Sequence, residues 1–221
     1  MQESGRLGSL DLERVFLVPI MTVLLISSTG KLLSDWSDWD GSINLVATTL
    51  LLYQVLLASF YVLVIYLLLA RSDATAKSDR PAPKVAAYVA SFLPFLIPFA
   101  GGSPTGQVAS TTAVLLMAAG IAFSVYSLSI LGRSFGVAPQ VRKLVRSGPY
   151  RLIRHPLYVG ELIEFVGTVL FSPSIGKVAI LVSVILLQGY RSIQEERLLE
   201  ANIPEYTQYK TQTKRFIPGL V

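Results

Sequence analysis

Six apolar runs, each near the length of a bilayer crossing, constrain this chain more than anything else in it. They are Val15 to Ser28, Ile43 to Ala70, Val85 to Ala100, Gln107 to Leu131, Leu157 to Phe171 and Ile175 to Tyr190. About 20 apolar residues carry a helix through the hydrocarbon layer, where every backbone N–H and C=O must be satisfied within the protein. The expectation is an all-α integral membrane protein, a single membrane domain over residues 1–221 with about six transmembrane helices. The first run is short and carries Pro19; the third carries Pro94 and Pro98, tolerated where neighbouring helices satisfy the freed backbone groups. Ser172-Pro173-Ser174 breaks the fifth, short run. The sixth runs on as a polar helix from Arg191 to Ala201, with Pro204 beyond it and a further amphipathic turn within Glu205 to Lys214. Lys31 to Gly41 reads as a loop whose Trp36 and Trp39 suit an interfacial belt.

Charge placement orients these spans. Lys31 and Lys177 fall on one side, and the other 17 of the 19 Lys and Arg fall on the other. That bias places both termini and the loops 71–84 and 132–155 in the cytoplasm. It also explains the net charge of +5 without nucleic acid. Charged residues are 15% of the chain, well below the roughly 25% of soluble domains. There is no cysteine and a single histidine, which excludes disulfides and thiolate sites and makes a histidine-based metal site improbable. Met1 to Arg14 is polar and mixed in charge, and no cleavable signal is evident.

The chemistry concentrates in Gly148 to Gly160, G-P-Y-R-L-I-R-H-P-L-Y-V-G, which holds the one histidine, His155. Pro149 and Pro156 fix the backbone at two points. Gly148 permits a turn, and Gly160 permits close approach of another backbone or a ligand. Tyr150 and Tyr158 add two aromatic faces with hydroxyls. This set suits the polar lip of a cofactor pocket at a membrane surface. No G-x-G-x-x-G turn occurs, so a nucleotide-like cofactor is held by something other than a Rossmann fold.

The segment L-V-R-S-G-P-Y-R-L-I-R-H-P-L-Y-V-G, followed by R-S-I-Q-E-E-R-L-L, E-Y-T-Q-Y-K and R-F-I-P, resembles the isoprenylcysteine carboxyl methyltransferase family over residues 131–221. The related phospholipid N-methyltransferases share this C-terminal plan, and residues 1–130 form N-terminal helices that vary among proteins of this kind. The resemblance implies S-adenosylmethionine held between the basic loop and the last helix. By motif, Gln140, Leu144, Val145 and Tyr150 would contact it, as would His155, Pro156, Leu157 and Tyr158. Glu195 would take the cofactor side and Arg191 the acceptor side, with Arg191 and Arg154 the candidate catalytic arginines. The chain departs from the family pattern at Arg142, where a histidine usually opens the first motif, and at Arg146, where a threonine is usual.

The side chains support that chemistry independently. Glu195 or Glu196 can pair with the cofactor's ammonium; they point about 100° apart, and Glu195, one turn from Arg191, is favoured. Tyr150 and Tyr158 can stack on adenine or face a sulfonium, and His155 can donate to a carboxylate or ribose. Lys143 completes the cofactor-side set. Glu161 and Glu164 share one face inside an apolar span, where carboxylates are expensive. They either line an acceptor tunnel or pair with Arg154 or Arg191. Arg142, Lys143, Arg146 and Arg151 also suit lipid-headgroup anchoring, and Tyr206 with Tyr209 suits packing at the membrane surface. The reading is a membrane methyltransferase acting on a lipophilic or prenylated acceptor, with no nucleic acid and no metal. Two alternatives stand beside it: an NADPH-dependent sterol-type reductase, and a non-catalytic protein that binds anionic lipid.

Overall fold

A computed structural model describes residues 12–39, 41 and 44–219. Met1 to Asp11, most of the polar N-terminal segment noted above, lies outside the described residues. The chain folds into helices α1 (Leu12–Ser37), α2 (Leu45–Ala70), α3 (Pro81–Phe92), α4 (Gln107–Leu131), α5 (Pro156–Phe171), α6 (Ile175–Asn202) and α7 (Tyr206–Gln212). Five helical stretches among the described residues are long and apolar enough to cross a bilayer; α5, at 16 residues, is shorter than these. The protein is a multi-pass, all-α integral membrane protein.

Local chemistry sets the ends. Asn44 caps α2 by accepting from the Val46 and Ala47 amides, and Ser174 caps α6 by accepting from Lys177. Pro81 and Pro156 open α3 and α5, where the missing N–H costs nothing. Gly132, at a φ of 54°, ends α4. α1 runs further than its apolar stretch suggests. Lys31 and Asp35 form an i,i+4 pair at 2.9 Å, and no breaker intervenes before Ser37, so much of the expected 31–41 loop is helix. The third span is not one α-helix. At Leu93 it tightens into a 3₁₀ helix to Phe99, because Pro94 and Pro98 supply no amide donors. At about 1.5 and 2.0 Å rise per residue, the two pieces still reach roughly 32 Å, about one hydrocarbon thickness.

The 71–80 segment meets the 132–141 loop through a two-residue antiparallel ladder, β1 (Ala76–Lys77) against β2 (Gln140–Val141). The ladder is a small exception to the all-helical expectation; the Ser72 amide also bonds the Arg133 carbonyl at 3.2 Å. At the opposite end the Thr105 amide bonds the Phe171 carbonyl at 3.0 Å, and the Ser174 hydroxyl bonds the Ala100 carbonyl. Large apolar side chains such as Phe16, Val23, Val108 and Leu186 face outward, as lipid contact demands.

α4 and α5 form the tightest pair. A Cβ at Gly160 would sit 2.8 Å from the Ser124 amide nitrogen and 2.9 Å from the Gly120 carbonyl. Gly160 thus serves a backbone approach rather than a ligand. The apolar core lies toward the looped end and gathers Leu17, Leu67, Leu68, Leu128, Phe135 and Leu157 directly beneath the candidate site.

Candidate functional site

Gly148, at a φ of 56°, turns the chain into a 3₁₀ turn over Gly148–Arg151 that buries Pro149 and Tyr150. Just beyond it Pro156 starts α5, so His155 and Tyr158 stand at the mouth of the bundle. The C-terminal segment then folds back alongside. The Arg154 amide bonds the Lys214 carbonyl at 2.8 Å, and the His155 amide bonds the Arg215 carbonyl at 3.1 Å. The Tyr209 hydroxyl donates to the Tyr150 carbonyl at 2.7 Å. Burial pushes the Tyr209 phenol up to about 12 and raises that of Tyr150 further, so both remain neutral donors.

The two adjacent glutamates have separate posts. Glu196 is 2% exposed and accepts from Arg154 Nε at 2.9 Å, from Arg215 Nε and Nη2 at 2.9 Å each, and from the His155 ring at 3.1 Å. The bond to Glu196 raises the Arg215 pKa. Glu196 therefore clamps the C-terminal segment, and it lines neither of the two cavities described below. All three nitrogens of Arg154 are engaged, by Glu196 and by the Lys210 and Thr213 carbonyls, and its side chain also borders the first of the two cavities below. Glu195, turned away along the helix, keeps a side chain 21% exposed, accepting from the Tyr158 hydroxyl at 2.6 Å and Arg191 Nε at 2.9 Å.

Two cavities of about 140 Å³ each meet at this point. The first lies between the 134–158 loop and the outer parts of α6 and α7. It is bordered by Gln140, Lys143, Leu144, Val145, Tyr150, Arg154, His155, Leu157, Tyr158, Arg191 and Glu195, eleven residues marked from sequence. Pro156 is buried beside it without bordering it. The second cavity lies deeper, among α2, α3, the 3₁₀ stretch and α5, and is walled by Phe60, Tyr61, Phe95 and Phe165 with Glu161 and Glu164. Phe135, Leu157, Tyr158 and Arg191 border both.

Arg191 is thus the shared wall. It is 6% exposed, donates to Glu195 and to the Val137 carbonyl at 2.7 Å, and lies 4.8 Å over the Tyr158 ring. It does not pair with the span carboxylates: Glu161 accepts from Gln188 at 2.8 Å and Glu164 from the Tyr53 hydroxyl at 2.8 Å. Neither ion pair considered for them, with Arg154 or with Arg191, forms. His155 stacks on Tyr158 with ring centroids 5.2 Å apart; one ring nitrogen faces Glu196, the other lies 3.9 Å from Glu195.

Several residues at the site carried no such expectation. Tyr206 and Tyr209 are buried and border the first cavity rather than packing at a membrane surface. Arg142 is buried, donating to the Ser72 carbonyl and to Gln140, and is not a headgroup anchor. Lys143, Arg146 and Arg151 do stand at the surface. Glu13, from the first turn of α1, reaches Gln140 and the Ala138 amide. Its signal, one acid just ahead of an apolar run, is too common to find it by.

The cavity's donor set fits the groups of S-adenosylmethionine: a carboxylate at Glu195, aromatic faces, an apolar floor, and a buried Tyr150 hydroxyl with no partner within the protein. Residues 108–203 match the family model described as phospholipid methyltransferase, a match that begins in α4 and ends just past α6. The chain is 39% identical over 79 residues to the nickel-cobalt-cadmium resistance protein NccN of Alcaligenes xylosoxydans xylosoxydans, covering 35% of this chain and 37% of that one. It is 38% identical over 78 residues to the cobalt-zinc-cadmium resistance protein CzcN of Cupriavidus metallidurans, covering 35% and 36%. The chain thus aligns with little more than a third of the length of either relative. Among the described residues no group of three or more His, Cys, Asp or Glu is arranged to hold a metal ion.

Proposed function

We propose that this chain is an S-adenosylmethionine-dependent methyltransferase of the membrane, taking the cofactor into the outer cavity from the cytoplasm and a lipophilic acceptor into the deeper one. Both termini then lie in the cytoplasm, as the placement of basic residues suggests. The observation that carries the reading is the meeting of a polar and an apolar cavity at Arg191 and Tyr158. The family match over residues 108–203 supports it, since that segment includes the loop, α5 and the Arg191–Glu195 pair.

S-adenosylmethionine supplies an electrophilic methyl group on a sulfonium, so the chain's task is alignment and exclusion of water rather than proton traffic. Glu195 supplies the carboxylate for an ammonium. Tyr150 and Tyr158 supply ring faces and hydroxyls, and Gln140 with the backbone of Leu144 and Val145 edges the cavity. Arg191, Glu161 and Glu164 border the chamber for the acceptor. An acceptor head group there meets a guanidinium on one side and carboxylates on the other. Prenylated thioether carboxylates and lipid amines are accordingly the two classes to assay. The reductase alternative would place a dinucleotide's phosphates on Arg142, Lys143 and Arg146; Arg142 is engaged by Ser72 and Gln140, while Lys143 and Arg146 stand at the surface.

Calorimetric titration of the purified protein with S-adenosylhomocysteine and with NADPH tests the proposal. Binding of the first alone is expected. Binding of NADPH alone, or of neither, refutes it.

A further inference from the structure

Four α-helices wall the deeper cavity ahead of α5, and three of them, α1, α2 and α3, converge on one carboxylate. Met21 of α1, Phe60 and Tyr61 of α2 and Ser91 of α3 line that chamber. At the looped end of the same helices stands Glu13, 5% exposed. It accepts from Arg71, at the end of α2, and from the Tyr88 hydroxyl of α3 at 3.3 Å. It also accepts from the Ala138 amide at 2.9 Å and from Gln140 Nε2 at 3.1 Å. Ala138 and Gln140 border the outer cavity. Gln140 is held from its other side as well, since its Oε1 accepts from Arg142 Nη2 at 2.8 Å. Arg14 Nη2, from the next residue, bonds the Arg71 carbonyl at 3.1 Å and fixes the turn that carries Glu13.

We propose that Glu13 is a positioning residue of the outer cavity: its carboxylate holds the 138–141 edge of that cavity against α2 and α3, so both chambers share one fixed point. The assignment of a ligand to that cavity rests on the function proposed above; the mechanical coupling does not. The carboxylate meets four donors: Tyr88, Ala138 and Gln140 on Oε1, and the Arg71 guanidinium on Oε2. A glutamine there would turn an amide N–H toward donors on at least one side, and one backbone or side-chain donor would lose its acceptor.

The test uses the full chain in detergent with two readouts. The first is S-adenosylhomocysteine affinity. Glu13→Gln is expected to weaken it by on the order of ten-fold, and Glu13→Ala combined with Gln140→Ala to weaken it no more than the stronger single variant, as coupled residues do. The second needs no ligand. The chain has no cysteine, so Val141→Cys, buried in β2, and Ser110→Cys, buried at the far end of α4, report local opening by maleimide labelling. Glu13→Gln is expected to speed labelling of Val141→Cys several-fold and leave Ser110→Cys unchanged. Equal acceleration at both positions would mean general loosening and would overturn the proposal, as would no acceleration at either. Absence of S-adenosylhomocysteine binding in the unsubstituted protein would sink the proposed function, while the labelling arm would still decide the role of Glu13.

Discussion

Glu195→Gln and Glu196→Gln are the same chemical change one residue apart, and the structure demands opposite outcomes. At Glu196 the change removes the charge that five donor atoms from Arg154, His155 and Arg215 surround. Breaking a buried pair costs about 3–5 kcal/mol, because a charge is left buried without its partner. The lower end applies here, since Arg215 is about a quarter exposed and can turn to water, and Arg154 keeps its carbonyl acceptors. A loss of about 3 kcal/mol would lower the unfolding midpoint by several degrees. At Glu195 the side chain is partly open and a glutamine still accepts from Tyr158, so stability should change by under about 1 kcal/mol. Ligand affinity should instead fall by roughly 1.5–3 kcal/mol, the worth of a charge-assisted hydrogen bond, or about ten- to a hundred-fold. Thermal unfolding in detergent, with S-adenosylhomocysteine calorimetry at a temperature where both variants are folded, separates the two. If Glu196→Gln keeps its midpoint and loses affinity as Glu195→Gln does, the division of labour between the neighbours is wrong.

Arg191→Lys keeps the charge but cannot hold Glu195, the Val137 carbonyl and the Tyr158 face at once; S-adenosylhomocysteine affinity should stay within a factor of a few while turnover falls on the order of ten-fold or more. Equal losses in both would place Arg191 on the cofactor alone. Gly160→Ala sets a methyl against the α4 backbone and should destabilise by about 1–3 kcal/mol, read as a lowered unfolding midpoint; a neutral result would contradict the α4–α5 approach. Single cysteines at Ser37 and Ser103 should label from outside intact cells and one at Ser147 should not; outside labelling at Ser147 would reverse the proposed orientation.

Local patterns revealed what depends on local physics. The bounds of α4 were legible as an apolar run between a glycine turn and Gly132, and the extension of α6 as an apolar face giving way to a charged one. The motif around His155 marked one wall of the outer cavity, and helical spacing chose Glu195 over Glu196. What failed to show depends on chain returning from a distance. Tyr206 and Tyr209 looked like surface aromatics because nothing in their neighbourhood records that the 213–216 strap draws α7 inward. Arg142 resembled its basic neighbours, and the approach of Ser72, Gly136 and Gln140 helps bury it. The ladder between β1 and β2 is two residues long, too short for any periodicity. Gln188 and Tyr53 were invisible as partners of Glu161 and Glu164 because each sits on a different helix from its acid.

The shared wall between the two cavities has a consequence for how rates should be expressed. Under the proposed function, one reactant is counted in a volume and the other on a surface. The outer chamber samples the aqueous phase, so its occupancy follows molar concentration. The inner chamber lies among membrane helices, so its occupancy follows the mole fraction of acceptor in the bilayer. Adding inert lipid at constant acceptor should slow turnover by surface dilution and leave the dependence on S-adenosylmethionine untouched. A KM for the acceptor quoted in molar units would then describe the vesicle preparation, and one quoted in mole per cent would describe the protein.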